Sequence, residues 1–278
     1  MKYFLILGLL SSSCALIDAA REQENETDAG ISCGEQGITN TDCASAETDA
    51  GISPHMQSGA RLIRERKFGM SMQGLVRYNS TNFLTYADNV AYIVSLETNT
   101  DPIEAGGVVD IEGPVLDFAI DTVSGANPLD NVWWLKTDGS VHSTKDGQLL
   151  APSNCRSGIS IVGRSMEVLC GTVLEHRNLD VNTLPLSSAD SLPEGGILLS
   201  YSDGRYFIVT DVQFNTEGTN FSQRVSVISA SSLTIERQIE LQHQATKIVG
   251  ITAEAERFWV LTGGSGPEQD TLYEYQLY

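Results

Sequence analysis

The stretch that decides the fold is GGILLSYSDGRYFIVTD, residues 195–211. Two apolar runs, rich in β-branched and aromatic residues, flank the dipeptide Asp203-Gly204. Asp-Gly between two such runs is a strong signal for a tight turn that joins antiparallel strands. After a loop, RVSVISASSLTIERQIELQ, residues 224–242, repeats this arrangement. Together the two stretches predict a unit of four strands, in the order strand, turn, strand, loop, strand, turn, strand.

The same unit recurs along the chain. The next copy begins with ATKIVGITAEAERFWVLTGG, residues 245–264, and ends with TLYEYQLY. Earlier copies begin at GLVRYN (74–79), PVLDFAID (114–121) and SGISIVG (157–163). Equivalent residues of the first strands lie about 40 to 50 positions apart; in the last four units they are Leu116, Ile159, Leu198 and Ile248. A four-stranded repeat of this length is typical of a β-propeller.

The chain from about residue 65 to residue 278 resembles bacterial β-propellers of the YVTN or WD40-like kind, and the likeness is clearest over residues 224–242. The resemblance implies an all-β fold with five four-stranded blades around a central channel. The last unit stops after its third strand, so we expect a strand from the segment around Phe68 to Met72 to close the ring. The alternative fold is a tandem pair of β-sandwiches of the immunoglobulin kind.

The N-terminus has the features of an export signal. One base, Lys2, precedes an apolar run at residues 3–10. This run is too short to span a bilayer, but it suits the apolar core of a signal peptide. Three serines come directly after this run, and Cys14 follows them. That arrangement resembles the lipobox of bacterial lipoproteins, which implies a signal peptide of residues 1–13 and a lipid anchor on Cys14.

The residue after the cysteine is Ala15, and by the same resemblance this favours the outer membrane of the cell envelope. The alternative is an ordinary secretory signal cut after Ala19 or Ala20, which would discard Cys14 and release a secreted protein. Either signal predicts an exported protein.

The cysteines are odd in number, which leaves one unpaired if the others form disulfides. Cys33 and Cys43 lie close together in one polar segment. Cys155 and Cys170 flank RSGISIVGRSMEVL, which predicts a hairpin that turns near Gly163-Arg164. Cross-strand positions of a hairpin suit the geometry of a disulfide. Two local pairs, Cys33 with Cys43 and Cys155 with Cys170, would leave Cys14 for the lipid.

Residues 14–60 predict an acidic, low-complexity stalk between the anchor and the propeller at 61–278. The segment is rich in Asp, Glu, Ser, Thr and Gly, and ETDAGIS occurs twice, at 26–32 and 47–53. It contains too few large apolar residues to offset the entropy of ordering it.

The chain as a whole has a formal net charge of -19, which argues against nucleic acid as a partner.

Candidate catalytic residues are few. The acids Asp117, Asp121 and Glu194 are expected near the inner strands, and five-bladed glycosidases use carboxylates on such strands. The four histidines are scattered in the sequence, so no metal site and no cofactor are predicted. We therefore expect a propeller that binds an envelope protein or a glycan without catalysis. The alternative is a glycan hydrolase that uses channel carboxylates.

Overall fold

The computed structural model describes residues 56–57, 59–98, 100–105, 114–121, 127–144, 157–179, 186–212, 221–243, 247–263 and 270–278. Cys14, Cys33, Cys43 and Cys155 lie outside these ranges, as do the predicted signal peptide and the stalk up to residue 55. The predictions for those residues stay predictions.

The described residues form β-strands and one short 3-10 helix, at Pro128–Asn131, with no α-helix. In chain order the strands are β1 (Met56–Gln57), β2 (Ala60–Phe68), β3 (Gln73–Arg77), β4 (Asn82–Ala87), β5 (Val90–Ser95), β6 (Ile103–Glu104), β7 (Val115–Ile120), β8 (Val132–Lys136), β9 (Val141–Ser143), β10 (Ile159–Val162), β11 (Ser165–Asn178), β12 (Leu186–Gly196), β13 (Leu198–Ser202), β14 (Arg205–Val212), β15 (Phe221–Ser229), β16 (Ile235–His243), β17 (Lys247–Glu254), β18 (Arg257–Gly263) and β19 (Asp270–Leu277).

These strands form five antiparallel sheets, which we number as blades 1 to 5. Blades 1 to 4 contain β3–β6, β7–β9, β10–β12 and β13–β16, and blade 5 contains β17, β18, β19, β2 and β1 in that spatial order. The first strands of successive blades contact one another, and β17 of blade 5 contacts β3 of blade 1, which closes the ring. The structure is therefore a five-bladed β-propeller, as the repeat predicts, and not a pair of β-sandwiches. The expected four strands per blade are not uniform among the described residues, since blade 2 contains three strands.

The turns that join first and second strands follow the sequence signals. Asp203 and Gly204 both have positive φ, +48° and +76°, as a type I′ turn requires. They connect β13 to β14, in which Ser202 pairs with Arg205. Gly163 has φ +60° and begins the predicted turn between β10 and β11. Local turn chemistry thus fixes the register of both hairpins.

The long strand β11 reverses direction near Gly171, where φ is +60°. The amide of Leu179 donates to the carbonyl oxygen of Arg164 at 3.0 Å. The hydroxyl of Ser165 donates to the carbonyl oxygen of Arg177 at 3.4 Å. A straight strand of this length would hold its ends roughly 40 Å apart. β11 therefore supplies the second and third strands of blade 3, and β12 supplies the fourth.

The ring closes through β2, which pairs antiparallel with β19 from Ala60 opposite Leu277 to Phe68 opposite Asp270. The expected closing segment, Phe68 to Met72, was placed too late in the chain. Beyond Phe68 the chain already crosses to blade 1, where the amide of Met72 donates to the Asp270 carboxylate. The sequence of β2 is highly charged because this strand lies at the outer side of the blade and faces solvent over much of its length.

Polar side chains join blades near the start of the inner strands at three junctions, which are blade 2 to 3, blade 4 to 5 and blade 5 to 1. Asp117 of blade 2 accepts a hydrogen bond from the amide of Ile159 in blade 3 at 3.1 Å. Gln223 of blade 4 accepts from the amide of Ile248 in blade 5. The Asp270 carboxylate of blade 5 accepts a hydrogen bond from the amide of Met72, just before the inner strand of blade 1. Buried amides at blade junctions thus find acceptors outside their own sheets, as buried backbone donors require.

Aromatic side chains of the second strands fill the spaces between blades. Phe207 of blade 4 and Phe258 of blade 5 have ring centroids 6.0 Å apart. Phe83 of blade 1 and Trp259 of blade 5 are 5.3 Å apart. All four side chains are buried, so they contribute to the apolar contacts that hold neighbouring blades together.

Candidate functional site

The inner strands surround a cavity of about 360 Å³ at the center of the ring. We call it the channel mouth, because the lining includes the last residues of the inner strands in four of the five blades. Every blade contributes to it; the lining residues are 75–79, 118–120, 159–161, 199–202 and 251–254.

The lining is rich in hydroxyl groups. It contains two phenols, four aliphatic hydroxyls and one amide; these are Tyr78, Tyr201, Ser160, Ser200, Ser202, Thr252 and Asn79. Three of the aliphatic hydroxyls accept backbone amides of the next blade: Ser160 from Tyr201 at 3.0 Å, Ser202 from Ala255 at 2.9 Å, and Thr252 from Arg77 at 3.2 Å. These hydroxyls are held in place by the ring itself.

One base and one acid line the channel mouth, and they form an ion pair. Arg77 Nη1 of blade 1 contacts Glu254 Oε1 of blade 5. The guanidinium carbon of Arg77 also lies 5.7 Å from the ring centroid of Trp259, within the range of a cation–π interaction. Arg77 Nε and Trp259 Nε1 are buried and have no hydrogen-bond acceptor among the described residues.

The three carboxylates that the sequence singled out lie in separate places. Asp117 of β7 is fully buried in the wall of the ring and does not line the channel mouth. Its carboxylate accepts the amides of Phe118 at 2.9 Å and Ile159 at 3.1 Å, and also that of Leu75. Burial raises the pKa of Asp117 well above its usual value, and the three amides offset part of this effect. Asp117 therefore joins blades 1, 2 and 3.

Asp121 follows the end of β7, and its amide donates to the carbonyl oxygen of Asn131 at 3.0 Å. Glu194 was expected near an inner strand, but it lies in β12, the outermost strand of blade 3. There Gln238 Nε2 of blade 4 donates to its carboxylate at 2.9 Å, and Ser226 Oγ donates to the same oxygen. Neither residue lines the channel mouth.

The structure brings together one polar cluster that no pattern in the sequence indicates. His176 Nδ1 contacts the Glu167 carboxylate, and His176 Nε2 lies 2.9 Å from Asp190 Oδ2. Burial raises the pKa of Glu167, and the neighbouring His176 lowers it in part. The reversal of β11 brings His176 into contact with Glu167, although both residues belong to this one strand. Within the described ranges, no group of three or more His, Cys, Asp or Glu residues has the arrangement of a metal site.

Cys170, which is half-buried in β11, is disulfide-bonded. Its predicted partner, Cys155, lies outside the described residues, so this pairing stays a prediction.

In the part of the chain that the structure describes, no helix has the length and apolar character needed to cross a membrane.

Comparisons with known proteins show similarity in fold but not in sequence family. No protein-family model and no curated protein matches the sequence. Among solved structures, the glutaminyl cyclase of Myxococcus xanthus is 18% identical, with a TM-score of 0.53 over 78% of this chain and 96% of that chain. The computationally designed Ika8 protein is 11% identical, with a TM-score of 0.38 over 74% of this chain and 71% of that one. The likeness to the cyclase shows the fold alone, which is the β-propeller described above.

Proposed function

We propose that this protein is an exported lipoprotein, anchored through Cys14, whose propeller binds a glycan of the cell envelope at the channel mouth. The observation that supports glycan binding is the hydroxyl-rich lining of a cavity of about 360 Å³. Ligand sites of small molecules commonly have volumes of about 300 to 1,000 Å³ and few, fixed polar groups. Tyr78 and Tyr201 add aromatic surface on which a sugar ring can pack.

A protein partner would need an apolar surface of some extent. The exposed large apolar side chains of the described strands belong to four blades: Ile63, Ile103, Val173, Leu186 and Ile235. No single described strand carries more than one of them. This distribution favours a small polar ligand at the channel mouth over a protein docked on an apolar face.

A glycan hydrolase is less well supported than a binding protein. Glycosidases place two carboxyl groups on either side of the scissile bond, about 5 to 10 Å apart. Glu254 is the one carboxylate among the residues that line the described cavity, and it is paired with Arg77. The hydrolase candidate Asp117 uses its carboxylate to bind backbone amides inside the wall.

The anchor is tested by the intact mass of the protein extracted from membranes, measured with and without reduction. We expect a mass that begins at Cys14 and includes a diacylglycerol and an acyl chain, because the lipobox resemblance implies these modifications. Reduction is expected to add four hydrogens, two for each predicted disulfide. A mass that begins near residue 20 and carries no lipid would overturn the anchor and leave a secreted propeller.

Glycan binding is tested on an array of neutral and carboxylate-bearing oligosaccharides, followed by calorimetry with the sugars that bind. Tyr201→Ala is expected to weaken binding about tenfold, because loss of a large apolar contact costs about 1 to 3 kcal/mol. The matched control is Tyr278→Ala, which removes an exposed tyrosine outside the channel mouth. Equal affinity for both variants, or no binding of any sugar, would contradict the proposal.

A further inference from the structure

We infer that the ligand of the channel mouth carries a carboxylate, which binds Arg77 in place of Glu254. This inference rests on the proposed function and names the class of glycan, an acidic sugar such as a uronic acid. Three features support this assignment: the fixed position of Arg77, its unused donors, and the freedom of Glu254 to leave.

Arg77 is held in position from two blades. Its backbone pairs with Phe83 in blade 1, and its amide donates to Thr252 Oγ1 in blade 5 at 3.2 Å. Its guanidinium stacks near Trp259, which is itself buried. A guanidinium that is already ordered loses little entropy when it binds a ligand. Arg77 is therefore preorganised at the channel mouth.

The guanidinium has more donors than its present partner uses. An arginine carries five N–H donors in a planar fork, and a carboxylate bound side-on accepts two of them. In the structure Nη1 contacts Glu254 Oε1, whereas Nε is buried without an acceptor among the described residues. Trp259 Nε1 beside it also lacks one. A small rearrangement that exposes Nε would let a ligand carboxylate bind more completely than Glu254 does.

Glu254 is able to move away. Its side chain is 51% exposed, compared with 21% for Arg77. It is the last residue of β17, next to the turn at Ala255, which has φ +50°. Water screens an ion pair whose acid is half exposed, so breaking this one costs little. The Glu254 carboxylate thus occupies the place where a ligand carboxylate would bind.

Among the residues that the structure describes, the other arginine–glutamate pairs do not line the channel mouth. Glu274, which pairs with Arg64 and Arg257, has a fully buried side chain and cannot move into water. Arg205 pairs with Glu256 at 2.8 Å with exposures of 24% and 46%, close to those of the Arg77 pair. That pair joins blades 4 and 5 but does not line the channel mouth. Arg205 is therefore the matched control for Arg77.

The test is calorimetric titration of the full chain with digalacturonic acid and with its neutral counterpart, a galactose disaccharide. We expect the wild-type protein to bind the acidic sugar more tightly. Arg77→Gln is expected to weaken its binding at least about tenfold, because hydrogen bonds to charged groups are worth about 1.5 to 3 kcal/mol, and to leave the neutral sugar unaffected. Glu254→Gln is expected to strengthen binding of the acidic sugar several-fold, because the competing carboxylate is gone. Arg205→Gln is expected to change neither.

The two substitutions at the ion pair act in opposite directions, so loss of folding cannot imitate the result; thermal unfolding of each variant confirms this. If Glu254→Gln weakens binding, Glu254 itself contacts the ligand and the inference is overturned. If the neutral sugar binds as well as the acidic one and Arg77→Gln changes nothing, the inference fails while glycan binding stands. If neither sugar binds, the inference and the proposed function fail together.

Discussion

Asp117→Ala is expected to lower the free energy of unfolding by at least about 3 kcal/mol, because it leaves buried amides without an acceptor. The carboxylate accepts amides of Phe118 in its own blade, Ile159 in blade 3 and Leu75 in blade 1. Each unsatisfied buried donor costs about 1 to 3 kcal/mol. Asp117 has no exposed surface, and Phe118, Ile159 and Leu75 are buried as well.

Equilibrium unfolding in urea, followed by tryptophan fluorescence, measures this change. The control is Asp101→Ala, which removes an exposed carboxylate and is expected to change stability by no more than about 0.5 kcal/mol. If the two variants unfold at the same urea concentration, Asp117 does not hold the blades together.

The same residue is expected to make stability depend on pH. Burial raises the pKa of Asp117 above its usual 3.8, so the folded protein keeps a proton that the unfolded chain releases. Its contribution to stability is complete below that value and is lost as the pH rises through the folded-state pKa. The stability of wild type relative to Asp117→Asn should therefore fall as the pH rises from about 4. A constant difference would contradict the raised pKa.

Gly250→Ala is expected to destabilise the protein by at least about 3 kcal/mol, because the added methyl group meets backbone atoms of the adjoining blade. A Cβ at this position would lie 2.6 Å from Leu75 Cβ, 2.7 Å from Leu75 N and 2.7 Å from the Gly74 carbonyl carbon. The backbone of β3 cannot yield without opening the contact between blades 5 and 1. The substitution therefore acts on the closure of the ring.

Thermal unfolding of Gly250→Ala is compared with that of Gly69→Ala. A Cβ at Gly69 has no atom within 4 Å, so that variant is the control for the general effect of adding a methyl group. We expect a large drop in Tm for Gly250→Ala and almost none for Gly69→Ala. Equal Tm values would mean that the close approach of the two inner strands is not needed for stability.

The fold could be predicted from the sequence because its signals are local. The two apolar runs that flank Asp203-Gly204 predict a hairpin without reference to the rest of the chain, and the repeat of that pattern gives the blades. The closing strand β2 could not be recognised in the same way, because its charged sequence suits solvent at the outer side of the ring. β2 pairs with β19, which lies far away in the sequence. Arg64 of β2 and Glu274 of β19, which form a hydrogen bond, are 210 positions apart.

The site could be predicted only in part. Which residues occupy inner strands follows from the repeat, and part of each inner strand does line the channel mouth. Whether a side chain on such a strand faces the cavity or the next blade depends on how neighbouring blades pack. Asp117 therefore looked like a channel residue although it lies inside the wall. The Arg77–Glu254 pair joins the first and last blades, and no local pattern in the sequence indicates that contact.

The pairing of β2 with β19 has a consequence for how the chain folds. The two strands come from opposite ends of the propeller, so this contact is among the last that a growing chain can make. Until it forms, β19 presents an unpaired edge that can pair with another chain. We expect the docking of β2 to be the slow step of folding and the interval before it to be the period of greatest aggregation risk.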